Sequence, residues 1–145
     1  MDNASPARLY ALVVGSVLVM AGIVGFFYNA HFGSGNDVFG DDQSVKVFGI
    51  FAVNGWDNVL HILTGAIGLL AAGYVARLYA FGLGLVYLVI AIWGFIIGSG
   101  DAILTIGPVN TADNVLHLIL GVLGILAGAA GGGAYLAYSS SNSSA

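Results

Sequence analysis

The stretch V-N-G-W-D-N-V-L-H at residues 53–61 occurs a second time, as V-N-T-A-D-N-V-L-H at residues 109–117. The similarity extends beyond each copy, because Gly65 and Gly68 recur as Gly121 and Gly124 at the same offset of 56 residues. A second repeat, A-R-L-Y-A, occupies residues 7–11 and 76–80 at an offset of 69. Self-similarity at fixed offsets predicts that the chain is one unit duplicated in tandem. Each unit carries an Asp and a His four residues apart.

The composition is that of an integral membrane protein. Of the 145 residues only 7% are charged, whereas a soluble domain carries about 25% and needs them to cover its surface. Apolar runs close to the roughly 20 residues needed to cross a bilayer recur along the chain, and they are continuous rather than alternating, which predicts helices. The absence of cysteine excludes disulfides, thiolate metal sites and cysteine nucleophiles. The chain also has no basic patch, which excludes nucleic acid as a partner.

The predicted fold is all-α, a four-helix transmembrane bundle made of two parallel, tandem helix-hairpin repeats in a single membrane domain, 1–145. Repeat 1 covers about 7–75 and repeat 2 about 76–133. We expect helices at about 9–28, 57–75, 78–97 and 113–130. The apolar stretch 45–53 is too short to span, so we expect it at the interface or packed against the bundle. The Ser-rich tail 139–145 is expected to be disordered.

The few charged residues predict an orientation. Arg8 and Arg77 fall at one end of the predicted bundle, and Lys46 and most of the acids fall at the other. Because basic residues are retained on the cytoplasmic side, we expect both termini to be cytoplasmic and both D-N-V-L-H motifs to lie near the outer face. The first and third helices then cross in the same direction, with a pseudo-two-fold axis along the membrane normal.

Polar and small residues share one face of the second and fourth helices at about 100° per residue. Because small residues let membrane helices approach closely, we expect these two helices to pack on each other, with the glycines at the crossing and both Asp–His pairs in one polar site. The helix-packing glycines are Gly65, Gly68, Gly121 and Gly124. The acids and imidazoles are Asp57, His61, Asp113 and His117.

Those four acid and imidazole side chains suit a divalent metal such as zinc, which binds carboxylate oxygen and imidazole nitrogen. The amides that could support such ligands by hydrogen bonding are Asn54, Asn58, Asn110 and Asn114. Haem is disfavoured, because both histidines lie close to helix starts and few bases are available for its propionates.

A purely structural interpretation stays open beside the metal. Asn54-x-x-Asp57 and Asn110-x-x-Asp113 are spaced like helix N-terminal caps, and the histidines could hydrogen-bond their own Asp or a partner across the bundle. The motif would then be a polar clasp that fixes the helices. We expect a non-enzymatic membrane protein. The alternatives are an accessory subunit of a larger membrane assembly or homo-oligomer, and a small transporter or proton relay, which the scarcity of midplane polar groups disfavours.

The doubled V-N-x-x-D-N-V-L-H-x-x-x-G-x-x-G, with G-I-F-A-V-N before the first copy and G-P-V-N before the second, resembles a known family. It is similar to the small four-helix prokaryotic membrane proteins of domain-of-unknown-function family 4383, from about Arg8 to Ala130. The resemblance implies a four-helix membrane fold in a prokaryotic plasma membrane. It assigns no activity, and it names no functional residues.

Overall fold

The computed structural model describes residues 5–40 and 45–130, and within them four helices confirm the predicted all-α four-helix fold. The helices are α1 (Pro6–Tyr28), α2 (Gly55–Ala71), α3 (Ala76–Ile97) and α4 (Thr111–Ala130). The connections hold a short 3-10 helix, Gly35–Asp37, and four short strands: β1 (Lys46–Val47), β2 (Phe51–Ala52), β3 (Ala102–Ile103) and β4 (Gly107–Pro108). The Ser-rich tail predicted to be disordered, the predicted end of repeat 2 at residue 133, and the loop acids Asp41 and Asp42 lie outside the described residues.

The outer surface of the bundle is apolar. Helices α1, α3 and α4 are long and apolar enough to cross a membrane, while the 17 residues of α2 rise only about 25 Å. Large apolar side chains stay exposed along all four helices, among them Leu9, Val17, Ile67, Ile92 and Leu126. A surface of this kind is stable against lipid and not against water, so the chain is an integral membrane protein.

The centre of the bundle is formed by α1 and α3, whereas the sequence predicted that the second and fourth helices pack on each other. Buried Tyr10 and Ala11 of α1 pack in one core cluster with Tyr79, Ala80 and Leu83 of α3. Helix α2 packs along α1, and α4 packs along α3. Each predicted helix hairpin, α1–α2 and α3–α4, is therefore the tightly packed unit, and the two units meet mainly where α1 contacts α3 and α4.

The prediction that α2 and α4 cross at their glycines is wrong. A Cβ atom on Gly65 would meet the backbone of Gly15 and Val19 in α1, and one on Gly121 would meet Leu88 in α3. Gly68 likewise faces Tyr79, and Gly124 faces Ala80 and Gly84. The reason is that α1 and α3 carry small residues of their own, Gly15 and Gly84, which let the two helices of each hairpin approach closely.

The apolar stretch 45–53 forms an antiparallel hairpin that packs against the bundle, which was one of the two positions expected for it. Strand β1 pairs with β2 in the register Lys46↔Ala52, and β3 pairs with β4 in the register Ala102↔Pro108. Both turns use positive φ at two successive residues, Phe48 and Gly49 in the first and Leu104 and Thr105 in the second. The first turn has a glycine at one of these two positions, Gly49, whereas the second turn has neither glycine nor asparagine, so the usual sequence signal for such a turn is missing from the second hairpin.

Candidate functional site

The amide of Asn54 ties the start of α2 to two other segments. Its side chain is fully buried. Its oxygen accepts a hydrogen bond from the Asp57 backbone N–H at 2.9 Å, which caps the helix. Its Nδ2 group donates to the Val38 carbonyl at 3.0 Å and to the Ile106 carbonyl at 2.7 Å. Since Ile106 lies in the turn between β3 and β4, this amide connects the first half of the chain to the second.

The amide of Asn110 makes the reverse connection. Its oxygen accepts from the Asp113 backbone N–H at 2.9 Å, and its Nδ2 group donates to the Ile50 carbonyl at 2.8 Å. Ile50 lies in the turn between β1 and β2, at the position that corresponds to Ile106 at the offset of 56 residues. Each helix-capping Asn therefore bonds the hairpin turn of the other half.

The two carboxylates of the repeated motif have different partners. Asp113 Oδ2 accepts a hydrogen bond from the Ala52 backbone N–H at 3.0 Å. The residue that matches Ala52 in the second hairpin is Pro108, and proline has no N–H to donate. Asp57 cannot make the equivalent bond, and its Oδ2 lies 3.2 Å from His61 Nδ1 instead.

The two histidines differ for the same reason. His61 has its own Asp as a partner, as one interpretation of the motif predicted, but Asp113 is held by Ala52. His117 Nδ1 is buried and has no hydrogen-bond partner among the described residues. The His117 ring stacks on Tyr87, with ring centroids 4.8 Å apart and an angle of 14° between the planes. The Asp–His contact is therefore present in the first motif and absent from the second.

The remaining pair of motif amides packs against glycines. Asn58 and Asn114 are buried. A Cβ atom on Gly25 would collide with the Asn58 side chain, and one on Gly94 would collide with the Asn114 side chain. Asn58 Nδ2 also donates to the Asn29 carbonyl at 2.8 Å, just beyond the end of α1. These two amides thus lie in the contact between the two helices of each helix hairpin, whereas Asn54 and Asn110 join one helix hairpin to the other.

All four predicted acid and imidazole side chains line one cavity of about 190 Å³. Most of its wall is apolar, from α2, α3, α4 and the β3–β4 hairpin. Within residues 5–40 and 45–130, no three His or Asp side chains are grouped so that they could hold one metal ion. The four side chains therefore share a cavity without forming a metal-binding group there.

Sequence reasoning missed the role of three residues that take part in contacts between the two halves of the chain or determine them. Tyr10 donates from its hydroxyl to the Leu120 carbonyl at 2.9 Å, and Tyr79 donates to the Thr64 carbonyl at 3.1 Å. Both tyrosines belong to the repeated A-R-L-Y-A, so the sequence carried a signal for them. The third is Pro108, which matters because it replaces a backbone donor.

Apolar outer faces, closely packed glycine-containing helices and a buried polar cluster at one end define a small helical integral membrane protein. The chain belongs to the family described as Domain of unknown function (DUF4383), whose model matches residues 8–130. No match to a curated protein or to a solved structure was found.

Proposed function

We propose that this chain is a non-enzymatic membrane component in which Asn54, Asn110 and Asp113 form a polar clasp between the two helix hairpins. The observation that carries the proposal is the reciprocal bonding of Asn54 to the Ile106 carbonyl and of Asn110 to the Ile50 carbonyl. The bond from the Ala52 N–H to Asp113 adds a third link between the halves. A clasp of this kind fixes how the hairpins sit against each other.

The pattern of contacts supports a tandem duplication as the origin of this clasp. Tyr10 of the first half bonds Leu120 in α4, and Tyr79 of the second half bonds Thr64 in α2. The donors are 69 residues apart and the acceptors 56, which are the two offsets of the repeated sequences. We infer that the halves are related by a pseudo-two-fold axis and that each half completes the other.

A rigid bundle with an apolar outer surface suits a structural or accessory role. Its exposed side chains can pack against lipid, a second copy or other membrane helices, and the cavity walls carry little of the polar lining that a transport or proton path needs. We propose an accessory subunit of a larger membrane assembly as the cellular role. Copurification of a stoichiometric membrane partner after mild detergent extraction would support it, and a bundle that stays a free monomer under those conditions would contradict it.

A bound divalent metal such as zinc is the competing proposal for the same residues, and it is supported by their common cavity. Under the clasp, we expect chelator treatment to leave the melting temperature of the purified protein unchanged, with less than one ion for every ten chains by elemental analysis. Stoichiometric zinc that is lost in His61→Ala and His117→Ala alike would contradict the clasp, because both substitutions leave the Asn54 and Asn110 bonds in place.

We propose a prokaryotic plasma membrane location with both ends of the chain in the cytoplasm and the β-hairpins at the outer face. Arg77, near the start of α3, donates to the Gly128 carbonyl in α4 at 3.1 Å, so these positions share one end of the bundle. The chain has no native thiol, and Ser34 and Tyr74 are exposed at opposite ends. An impermeant thiol reagent added to intact cells should label Ser34→Cys and spare Tyr74→Cys. Labelling of Tyr74→Cys alone would invert the orientation.

A further inference from the structure

The tips of the two β-hairpins, residues 48–50 and 104–106, carry large apolar side chains on a backbone that disfavours them. Phe48 and Leu104 are equivalent at the offset of 56 residues, and both have positive φ, 54° and 51°. Glycine and asparagine adopt this backbone at lower cost. Phe48 and Leu104 are 70% and 67% exposed, so the protein interior does not account for them. Strain kept at two equivalent exposed positions indicates that these side chains are used outside the protein.

Both tips continue the lipid-facing surface of the helices. Leu104 lines the same cavity as Leu60 of α2 and Val86 of α3, which are exposed apolar residues of the bundle surface. Leu60 lies about 8 Å along α2 from its start, so this cavity runs beside the helices rather than beyond their ends. The Phe48 ring packs edge-on against Tyr28, the last residue of α1, with centroids 6.0 Å apart. Tyrosine at the end of a membrane helix is typical of the bilayer interface.

The polar side chains of the β-hairpins lie away from these two apolar residues. The tips contain no charged residue, and Lys46 and Asp101 lie at or next to the bases of the hairpins. Thr105, the one polar side chain of the tips, lines a separate recess together with Asn36 and Asp101. Leu104 and Thr105 therefore have different surroundings, one apolar and one polar, as a hairpin lying in the bilayer interface requires.

Carbonyl groups of the tips are bonded within the protein. The Ile50 and Ile106 carbonyls accept hydrogen bonds from the capping asparagines of the other half at 2.8 Å and 2.7 Å. The Thr105 carbonyl accepts from the Gly35 N–H at 2.7 Å. Non-helical backbone is tolerated at membrane depth only where the protein satisfies its polar groups. These bonds let the tips lie against lipid.

We propose that both hairpin tips insert into the lipid leaflet at their end of the bundle, with Phe48 and Leu104 among its acyl chains. The partner is the lipid itself, because the tips are continuous with a helix surface that lipid already covers. Apolar side chains gain by leaving water for the bilayer, and this gain offsets the strained backbone. The proposal goes beyond the clasp, which holds the hairpins to the helices but does not determine what covers their tips.

The test measures the depth of nitroxide labels by EPR in vesicles of phosphatidylethanolamine and phosphatidylglycerol. The chain has no native thiol, so Phe48→Cys and Leu104→Cys each carry a single label. A polar nickel chelate is excluded from hydrocarbon, so we expect the ratio of oxygen to nickel collisions at both sites to be at least about threefold higher than at Asn36→Cys. Asn36 is the control because it is exposed at the same end of the bundle. Ile92→Cys, on the lipid-facing surface of α3, provides the lipid reference.

A label at either tip that is as accessible to nickel as the Asn36→Cys label would overturn the proposal, because that tip would then be free for a partner outside the membrane. If a cysteine variant does not fold, the wild-type protein in lipid nanodiscs provides the second measurement by NMR. A lipid with a nitroxide at the top of its acyl chain should broaden the amide signals of Phe48 and Leu104, and a water-soluble gadolinium chelate should not. Broadening by the gadolinium chelate alone would place the tips in water and reject their insertion.

Discussion

Replacing Asn54 by alanine should lower the free energy of unfolding by about 4 kcal/mol, because each of the polar groups left without a partner costs about 1–3 kcal/mol when buried. The Asn54 amide is fully buried. Its oxygen accepts a hydrogen bond from the Asp57 N–H, and its nitrogen donates to the Val38 and Ile106 carbonyls. The loss is measured by reversible unfolding in mixed micelles. Asn110→Ala should cost less, about 2 kcal/mol, because the Asn110 side chain is less buried and bonds two groups rather than three within the described part of the chain.

A matched control is available in the first connection. Asn36 is exposed in the short 3-10 helix Gly35–Asp37, so Asn36→Ala should change stability by less than about 0.5 kcal/mol. If Asn54→Ala costs no more than Asn36→Ala, the buried amide does not join the two halves and the clasp is wrong.

Replacing Gly84 by alanine should destabilise the protein by about 2 kcal/mol, because even one added methyl group overpacks a close helix contact. A Cβ atom at Gly84 would lie 2.8 Å from the Ile125 backbone nitrogen and 2.9 Å from the Gly121 carbonyl oxygen. Both are backbone atoms, so α3 and α4 would have to move apart. The same unfolding measurement applies.

Gly82 offers the control for this prediction within the same helix. It is exposed, and a Cβ atom there would meet nothing within 4 Å. Gly82→Ala should therefore leave stability unchanged or raise it by up to about 1 kcal/mol through helix propensity. Equal effects at Gly82 and Gly84 would show that the hairpins are not held by close glycine packing.

The apolar runs were enough to predict the four helices, because hydropathy is a local property, and the repeated motif marked the acids and histidines that line one cavity. It was not enough to predict which helices pack. The glycines of α2 and α4 do mark close contacts, but small residues elsewhere on the chain compete as partners. Gly15 and Gly84 are such residues, and at these positions α2 packs closely on α1 and α4 packs closely on α3. Helix pairing depends on this competition across the whole chain.

The repeated motif also could not predict that the two Asp–His pairs differ, because both copies have the same residues at these positions. It follows from one backbone donor, present at Ala52 and missing at Pro108, which lies before the second motif rather than within it. The hairpins that bring these residues to the helix starts carry weak turn signals, since Leu104 and Thr105 adopt positive φ without being glycine or asparagine. Only the three-dimensional structure shows that Asp57 contacts its histidine, His61, and that Asp113 bonds the Ala52 N–H instead.

The most direct test of the clasp is the hydrogen-exchange rate of the Ala52 amide, measured by NMR in the wild-type protein and in Asp113→Ala. Asp113 lies in the second half of the chain and holds this amide of the first half at 3.0 Å. We predict that exchange of Ala52 is slow in the wild type and at least about tenfold faster in Asp113→Ala, which corresponds to about 1.4 kcal/mol. Asp101→Ala, which removes an exposed carboxylate whose one hydrogen bond among the described residues is to its neighbour Ala102, should leave the Ala52 rate unchanged. An Ala52 amide that exchanges equally in the wild type and in Asp113→Ala would contradict the account.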